Sequence, residues 1–369
     1  MTRLLPSTTL RREAARCTLQ DCLNIDDRPA GFDYLRIILA LLIMLDHSVL
    51  ASLGQSAQLA LFVGPLRPLI TCLVPMFFAL SGFLVAGSLL RCRTTVTFVG
   101  LRVLRIVPAL TVDTVFCAII IGVIYTSLPI REYLSNREFH QYFFNIVGYI
   151  HYHLPGVFES NPSGLVNAQL WTIPYELKCY LVLSVMAVAG LHRRRALFLA
   201  ATVLLMVGET VYIIVRPPGP VDVWQLLVPC FLLSVCAYLY REKIEWSGRM
   251  AVASAVASIA FLWSQGPLML LASIPLSYVT IWLGLLRFPR DPIIRSGDYS
   301  YPLYLYSFPI QQALFVSIVA CRIWWVNMIV AIPVSFALAL FSWHLVEKPS
   351  QKFRFNLFAL ERRLFPLGR

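Results

Sequence analysis

The sequence predicts an all-α membrane protein, a polytopic bundle of about ten transmembrane helices with both termini in the cytoplasm. Of the 369 residues, 58% are hydrophobic and only 14% are charged, a composition that excludes an ordinary soluble domain. The apolar residues fall into separate stretches of about 17 to 25 residues, the length that crosses a bilayer as a helix. The basic residues lie mainly on one side of these stretches, which sets an orientation.

Ten stretches satisfy the length and polarity of a membrane span. They cover approximately residues 32–53, 67–90, 106–127, 171–190, 196–215, 222–240, 250–264, 267–286, 301–320 and 324–345. We therefore expect an even number of crossings, with the two termini on the same side of the membrane.

The distribution of lysine and arginine places that side in the cytoplasm. With the N-terminus inside, 24 of the 31 basic residues are inner and 5 are outer, while Arg36 and Lys178 lie within spans. Basic residues are retained on the cytoplasmic side, where anionic lipid headgroups attract them. The net charge of +12 is thus explained by topology and membrane lipids, and no nucleic-acid binding is predicted.

Three regions follow from this pattern. Residues 1–31 are predicted to be a disordered cytoplasmic segment, residues 32–349 the transmembrane domain, and residues 350–369 a basic cytoplasmic tail. The connection at 128–170 is the longest and lies on the outer side. A connection of this length without strong periodicity is usually functional or disordered, so an acceptor is expected to dock there.

Arg36 and His47 are the most informative pair of residues in the chain. Both lie in the first span, eleven residues apart, so they share one helix face at a separation of about 16 Å. A charged group within a span costs roughly 2.5 to 3.5 kcal/mol and usually faces a protein interior or a wet cavity. A neutral imidazole there can take a proton from a hydroxyl or hold an acyl group. The alternative is that a neighbouring helix satisfies the imidazole.

Two other groups of polar residues lie near the ends of spans. Arg102 and Arg105 are side by side at the inner mouth of the third span, where guanidinium groups suit phosphate. Topology alone also places arginines there. Glu176 lies just inside the outer end of the fourth span, beyond the interfacial Trp171. Its carboxylate is expected either to pair with Lys178 or to polarise a group on the helix of His47.

Several short motifs accompany these residues. They read PMFFALSGF at 75–83, RVLRIVP at 102–108, LWTIPYE at 170–176, YSYPLYLY at 299–306 and HLVEKP at 344–349. In this order, and with Arg36 and His47, they resemble the acyltransferase-3 family of integral-membrane O-acyltransferases, which modify cell-surface and secreted glycans. The resemblance covers residues 32 to about 349, and it departs from the family pattern at 168–169 and at Ser307.

The resemblance implies a reaction that spans the membrane. The donor would be cytoplasmic acyl-coenzyme A, most simply acetyl-coenzyme A, used as a substrate and without a permanently bound cofactor. The acceptor would be a carbohydrate towards the outer face, namely an exopolysaccharide, a lipopolysaccharide or a lipid-linked glycan. The enzyme would be a multi-pass protein of the cell (inner) membrane. The residues implied are Arg36, Arg102 and Arg105 for the donor, His47 as base or acyl carrier with Glu176, and Trp171, Tyr175 and Asn167 for the acceptor.

Two other functions remain open at this point. A secondary transporter or a flippase for a glycan precursor would also use a buried arginine and histidine, although no inverted repeat is evident in the hydropathy. A non-catalytic partner in glycan assembly would keep the same fold. No metal site is predicted, because the pair His151 and His153 has no third ligand nearby.

Overall fold

A computed structural model describes residues 17–215, 222–264 and 266–364. These residues are helical throughout, apart from connections and two isolated β-bridges that join Thr18 to Glu245 and Thr126 to Val157. Their α-helices are α1 (Leu19–Ile25), α2 (Ala30–Leu53), α3 (Gln55–Val63), α4 (Arg67–Thr71), α5 (Leu73–Arg91), α6 (Thr95–Val115), α7 (Gly122–Tyr125), α8 (Ile130–Ser135), α9 (Arg137–Tyr142), α10 (Ile173–Val188), α11 (Arg195–Val215), α12 (Leu227–Leu239), α13 (Gly248–Trp263), α14 (Ser273–Gly284), α15 (Pro292–Ser296), α16 (Ser300–Ser317), α17 (Trp324–Ser342), α18 (Lys348–Gln351) and α19 (Phe353–Leu364).

Short helices of other types extend several of these elements. Turns of 3-10 helix cover Phe143–Val147, Ala168–Thr172, Leu191–Arg193, Val223–Leu226, Pro267–Ala272 and Val319–Arg322. Two π-helical segments, Phe116–Ile121 and Trp343–Glu347, lie within long helices. Such segments commonly mark functional or strained positions in a helix.

The predicted fold class is confirmed, since helices occupy all ten predicted spans. Six stretches of the described chain are long and apolar enough to cross a membrane: Ala30–Leu53, Arg67–Arg91, Thr95–Tyr125, Arg195–Val215, Pro267–Gly284 and Trp324–Arg363. Val223–Leu239 and Gly248–Trp263 are shorter apolar helices. The number of crossings and the side of the termini stay predictions.

The helices α5 and α12 approach each other closely in the core. A Cβ atom at Gly82 of α5 would collide with the carbonyl oxygen of Phe231 in α12. Without a side chain at this position the two backbones come together, which is how small residues promote packing between membrane helices. The neighbouring Phe83 stacks on Phe32 of α2 with ring centroids 5.7 Å apart, so α2, α5 and α12 form one packed unit.

The connection at 128–170 folds back into the bundle rather than forming an open loop. Pro309 lies inside α16 and has no N–H, so the carbonyl of Leu305 loses its helical donor. The side chains of Asn167 and Gln169 replace it: Nδ2 of Asn167 lies 3.2 Å from that carbonyl oxygen and Nε2 of Gln169 lies 2.8 Å from it. A proline in one helix thus fixes the end of the long connection against it.

The N-terminal region differs from the prediction of a disordered segment. The helix α1 begins with a capping box, in which Thr18 and Asp21 bond each other's backbone N–H groups. Leu19 and Cys22 are buried in the core. Disorder is therefore wrong for the described part of this region, because its apolar residues find partners in the bundle. Residues 1–16 lie outside the described residues.

The C-terminal region, predicted as a basic cytoplasmic tail, is helical in its described part. Helical structure continues through α18 into α19, which packs along α6. The carboxylate of Glu361 accepts hydrogen bonds from the backbone N–H of Thr94, at 2.7 Å, and from its hydroxyl, at 3.0 Å. The segment is part of the folded domain because its helix has an apolar face, which a count of basic residues does not reveal. Residues 365–369 lie outside the described residues.

Candidate functional site

Three cavities lie along α2 in the bundle, at Arg36, at Ile43 and at His47. The basic cavity, about 1400 Å³, opens between α2, α5, α6 and α19 and is lined by Arg28, Arg36, Arg91, Arg102, Arg105 and Arg354. The central cavity, about 750 Å³, shares Arg36, Arg105 and Ser81 with it and extends to Ile43. The His47 cavity, about 770 Å³, lies against the other end of α2. The first two cavities are therefore neighbours, with three residues in both walls.

A buried carboxylate joins two of the predicted arginines. Oδ2 of Asp298 lies 3.0 Å from Nη1 of Arg36 and 3.2 Å from Nη2 of Arg105. Burial acts to raise the pKa of Asp298, but the two guanidinium groups outweigh it and hold the pKa of that carboxyl below its usual range. Two positive charges therefore face one negative charge, and the group keeps one net positive charge where the basic and central cavities meet.

Arg102 is held differently. Its Nη2 donates to the Ser88 hydroxyl at 3.0 Å, and its guanidinium lies over the rings of Phe98 and Tyr180 at 5.6 and 5.8 Å. Its Nε is buried and has no hydrogen-bond partner among the described residues. The guanidinium is thus fixed by neutral groups, and its full charge faces the basic cavity.

The structure places Glu176 in the central cavity, away from both expected partners. Its Oε1 accepts a hydrogen bond from the Tyr180 hydroxyl at 2.5 Å, and that hydroxyl lies 3.5 Å from the hydroxyl of Ser81. In the described part of the chain Glu176 forms neither an ion pair with Lys178 nor a hydrogen bond with His47. The expectation that Glu176 orients His47 is therefore corrected: one helical turn on α10 brings its carboxylate to Tyr180 instead.

His47 lies in the wall of its cavity and is only 6% exposed. One ring edge meets Phe308 of α16, with centroids 5.5 Å apart. Nδ1 is buried without a hydrogen-bond partner among the described residues, so the alternative of an imidazole satisfied by a neighbouring helix is not observed there. The neighbouring Asp46 accepts from Nε2 of Gln58 at 2.8 Å and does not orient the ring.

A thin partition separates the central cavity from the His47 cavity. Ile43 lines the first and His47 the second, and they share a helix face at a distance of about 6 Å, one turn apart. On the central-cavity side, the Tyr304 hydroxyl lies 2.8 Å from the Thr172 hydroxyl. It also donates a hydrogen bond to the backbone carbonyl of Gln169 at 2.6 Å. The two cavities have no lining residue in common, and Ile43 and His47 lie on their two sides.

The three residues predicted to contact an acceptor lie in different places. Trp171 lines the His47 cavity together with Tyr152, Gln58 and Ser163. Tyr175 faces a separate groove, in which it stacks on Trp224 with centroids 5.9 Å apart.

Asn167 is fully buried and lines none of the three cavities. Its Nδ2 lies 2.9 Å from Oδ2 of Asp113 and also bonds the Leu305 carbonyl. The assignment of Asn167 to the acceptor is therefore corrected to a structural role, because the proline in α16 creates an acceptor that only this side chain and Gln169 satisfy.

Sequence reasoning missed two contributors to the basic cavity. Asp298 carries no motif, and it is one of two acidic residues, with Asp291, in the short inner segment 287–300, which also holds three arginines. Arg354 lies on α19, where phenylalanine and leucine recur at helical spacing among basic residues. That pattern is typical of an amphipathic interfacial helix and would have identified the segment. No group of three metal-binding side chains occurs in the described residues.

Comparisons with known proteins agree with the motif pattern. The model of a family described as an acyltransferase domain matches residues 30–344. An "O-acetyl transferase" of Shigella phage Sf6 is 25% identical over 337 residues, covering 86% of this chain and 94% of that protein. "Nodulation protein 10" of Rhizobium leguminosarum bv. viciae is 27% identical over 327 residues, covering 79% of this chain and 84% of that protein. No solved structure matches the chain significantly.

Proposed function

Because the chain belongs to the acyltransferase-3 family of integral-membrane O-acyltransferases, we propose that it moves an acyl group from cytoplasmic acyl-coenzyme A to a hydroxyl of a cell-surface or lipid-linked glycan. Acetyl is the simplest group, in keeping with the name of the phage relative. Membership of an enzyme family favours this function over the transporter alternative. The observation that carries the proposal is a basic cavity that shares Arg36, Ser81 and Arg105 with a central cavity, whose wall includes Ile43, one helical turn from His47.

The basic cavity suits the phosphates of the donor. Guanidinium groups bind phosphate oxygens through charge-assisted hydrogen bonds, and Arg102 offers a charge that no carboxylate compensates. Arg36 and Arg105 offer a further net charge deeper in the cavity. The diphosphate of coenzyme A would lie among these three arginines.

The central cavity suits the pantetheine arm. Its wall combines apolar side chains, such as Val74, Phe77 and Phe78, with the polar groups of Glu176 and Ser81. An arm that is mostly apolar but carries two amides matches a wall of this kind, because buried amides need hydrogen-bond partners. The thioester would then reach the level of Ile43, beneath the partition.

The His47 cavity suits a sugar. Trp171 and Tyr152 supply flat apolar faces, while Gln58 and Ser163 supply hydrogen-bonding groups. Carbohydrates present both kinds of surface, and a few polar groups in an aromatic wall fix the orientation of a ligand. An acceptor hydroxyl held here would meet the imidazole from the side opposite to the donor.

In the proposed reaction His47 acts as a general base. The acceptor oxygen attacks the thioester carbonyl carbon, and its proton passes to the unprotonated ring nitrogen that faces the cavity. The tetrahedral intermediate then collapses, the C–S bond breaks, and its electron pair leaves with sulfur. The imidazolium returns the proton to that thiolate, which gives free coenzyme A and a neutral imidazole. Transfer through an acyl-histidine would use the same residue, and ping-pong kinetics would identify that route.

The decisive experiment replaces His47 by alanine. Membranes that contain His47→Ala should lose transfer of labelled acetyl groups from acetyl-coenzyme A by about 100-fold or more, the contribution of a general base. The matched control is His140→Ala, at an exposed position of α9 outside the cavities. Activity retained in a folded His47→Ala protein would remove His47 from the mechanism.

A further inference from the structure

The helix α19 lies outside the family match and yet completes the basic cavity. The matched residues end at 344, whereas α19 begins at Phe353. Arg354, Phe355 and Phe358 nevertheless line the basic cavity. This part of the cavity wall therefore lies beyond the residues that the family model matches.

Packing against α6 fixes the position of α19. Leu357 packs against the backbone at Gly100, where an added Cβ would meet its side chain at 3.0 Å. Four residues further along, Glu361 bonds the N–H and the hydroxyl of Thr94. These two anchors hold one face of α19 on α6 and leave its N-terminal part beside the cavity mouth.

The mouth carries a second group of arginines. The Arg354 guanidinium lies over the ring of Phe355, 4.9 Å from its centroid. Neither Arg354 nor Arg91 forms an ion pair within the part of the chain that the structure describes. Both side chains are exposed, whereas Arg102 and Arg105 are half-buried and Arg36 is buried, so the two groups of arginines differ in their access to solvent.

Two separate arginine groups match a donor that has two separate phosphate groups. Coenzyme A carries its diphosphate next to pantetheine and a further phosphate on the 3′ oxygen of its ribose, beside adenine. If the diphosphate lies at Arg102 and Arg105, the ribose and adenine project towards the mouth. A purine ring there would meet the faces of two phenylalanines, and stacking on aromatic side chains is a common way to bind a base.

We propose that Arg91 and Arg354, together with Phe355 and Phe358, form a subsite for the 3′-phosphoadenosine end of the acyl donor. This inference rests on the proposed donor and adds a selectivity to it. The subsite favours donors that carry the nucleotide, so acyl groups on a bare phosphopantetheine arm are disfavoured. The C-terminal extension thereby sets which thioesters the enzyme accepts.

The test compares acetyl-coenzyme A with its 3′-dephospho form. The wild-type protein should show a KM for the dephospho donor that is higher by about tenfold, the effect of one charge-assisted contact. Arg354→Gln should raise the KM for acetyl-coenzyme A by about the same factor and leave the KM for the dephospho donor nearly unchanged. Arg362→Gln, an exposed position on the same helix and away from the cavity, is the matched control.

Each outcome bears on the proposal. A rise in KM for both donors, or for neither, in Arg354→Gln would overturn the subsite while leaving the proposed function intact. If the wild-type protein transfers nothing from acetyl-coenzyme A, the proposed donor fails and the subsite fails with it. Adenosine 3′,5′-bisphosphate should also inhibit the wild-type protein more strongly than adenosine 5′-monophosphate, a measurement that needs no variant. Equal inhibition would overturn the subsite.

Discussion

Replacing Arg102 by glutamine is expected to weaken donor binding more than the same change at Arg105. The reason is the balance of charge in the basic cavity. Asp298 already neutralises part of the charge of Arg36 and Arg105, whereas Arg102 donates to the neutral hydroxyl of Ser88 and forms no ion pair within the described residues. A donor phosphate therefore meets a full positive charge at Arg102 and a shared one at the pair.

The expected change in the KM for the donor follows from the hydrogen bonds that each variant loses. A hydrogen bond to a charged group contributes about 1.5 to 3 kcal/mol, and about 1.4 kcal/mol corresponds to a factor of ten in affinity. Arg102→Gln should thus raise the KM for the donor by about 10- to 100-fold. Arg105→Gln should raise it by less than about tenfold, because Nη2 of Arg105 already donates to Asp298 and is not free for a phosphate oxygen. The Arg102 variant also loses its ring contacts with Phe98 and Tyr180, roughly 1 to 2 kcal/mol of stability, which a folded domain tolerates.

The assay measures initial rates of labelled acetyl transfer against acetyl-coenzyme A concentration, at a fixed and saturating acceptor. Arg102→Lys should recover part of the affinity, since lysine keeps the charge but not the planar fork. Arg249→Gln, an exposed position on α13, is the matched control and should match the wild-type protein.

Two results would refute this reasoning. One is an Arg105→Gln variant whose donor KM rises as much as that of Arg102→Gln, because the accounting of charge around Asp298 would then be wrong. The other is an Arg102→Gln variant that changes the acceptor KM and leaves the donor KM unaltered. Arg102 would in that case not bind the donor phosphates.

Three further predictions concern the fold. Gly82→Ala should lower the temperature midpoint of unfolding in detergent, since its Cβ collides with the Phe231 carbonyl. The control Gly208→Ala has open space around it and should raise the free energy of unfolding by about 0.5 to 1 kcal/mol. Equal midpoints for the two variants would contradict this packing. Asn167→Ala should lower the free energy of unfolding by about 1 to 3 kcal/mol, because buried acceptors are left unpaired. The KM values of the folded enzyme should stay unchanged. Asp298→Asn should destabilise the protein by about 3 kcal/mol. The pKa of Asp298 is lower in the folded protein than in the unfolded chain. Its ion pairs therefore contribute fully to the free energy of unfolding above the unfolded pKa of about 4, and this contribution is lost only as the pH falls through the lowered pKa. The difference between wild type and Asp298→Asn should therefore be constant from about pH 5 to 8, and a difference that disappears at pH 8 would refute the ion pair.

The sequence predicts residues that do lie in cavity walls, but it does not predict the contacts that they make. The motif arginines line the basic cavity, and His47 lines a separate cavity at the other end of α2. The sequence predicts that Glu176 pairs with Lys178 or with a group on the helix of His47, whereas the structure shows a hydrogen bond with Tyr180. Which hydroxyl or imidazole meets a carboxylate depends on the rotation of α10 against its neighbours, and hydropathy does not encode that rotation.

The treatment of the termini shows a second limit. The sequence predicts that residues 1–31 and 350–369 lie outside the transmembrane domain, because both segments are polar and basic. The structure describes residues 17–31 and 350–364 of these segments. Both carry apolar faces that are short compared with a span, and each is buried only because a matching surface exists on the bundle. Composition averaged over a segment hides such a face, whereas the position of each residue around the helix axis reveals it.

The sequence by itself determined the helical class, the approximate spans and the asymmetry of charge between the two ends. These properties depend on the local run of apolar and basic residues, because a lipid bilayer requires each crossing segment to satisfy its own backbone. Only the tertiary structure decided that Asp298 joins Arg36 and Arg105, that α19 lines the cavity mouth, and that a partition separates the central cavity from His47. Arg36 and Asp298 are 262 residues apart in the chain, and an ion pair between them exists only once the helices that carry them have packed together.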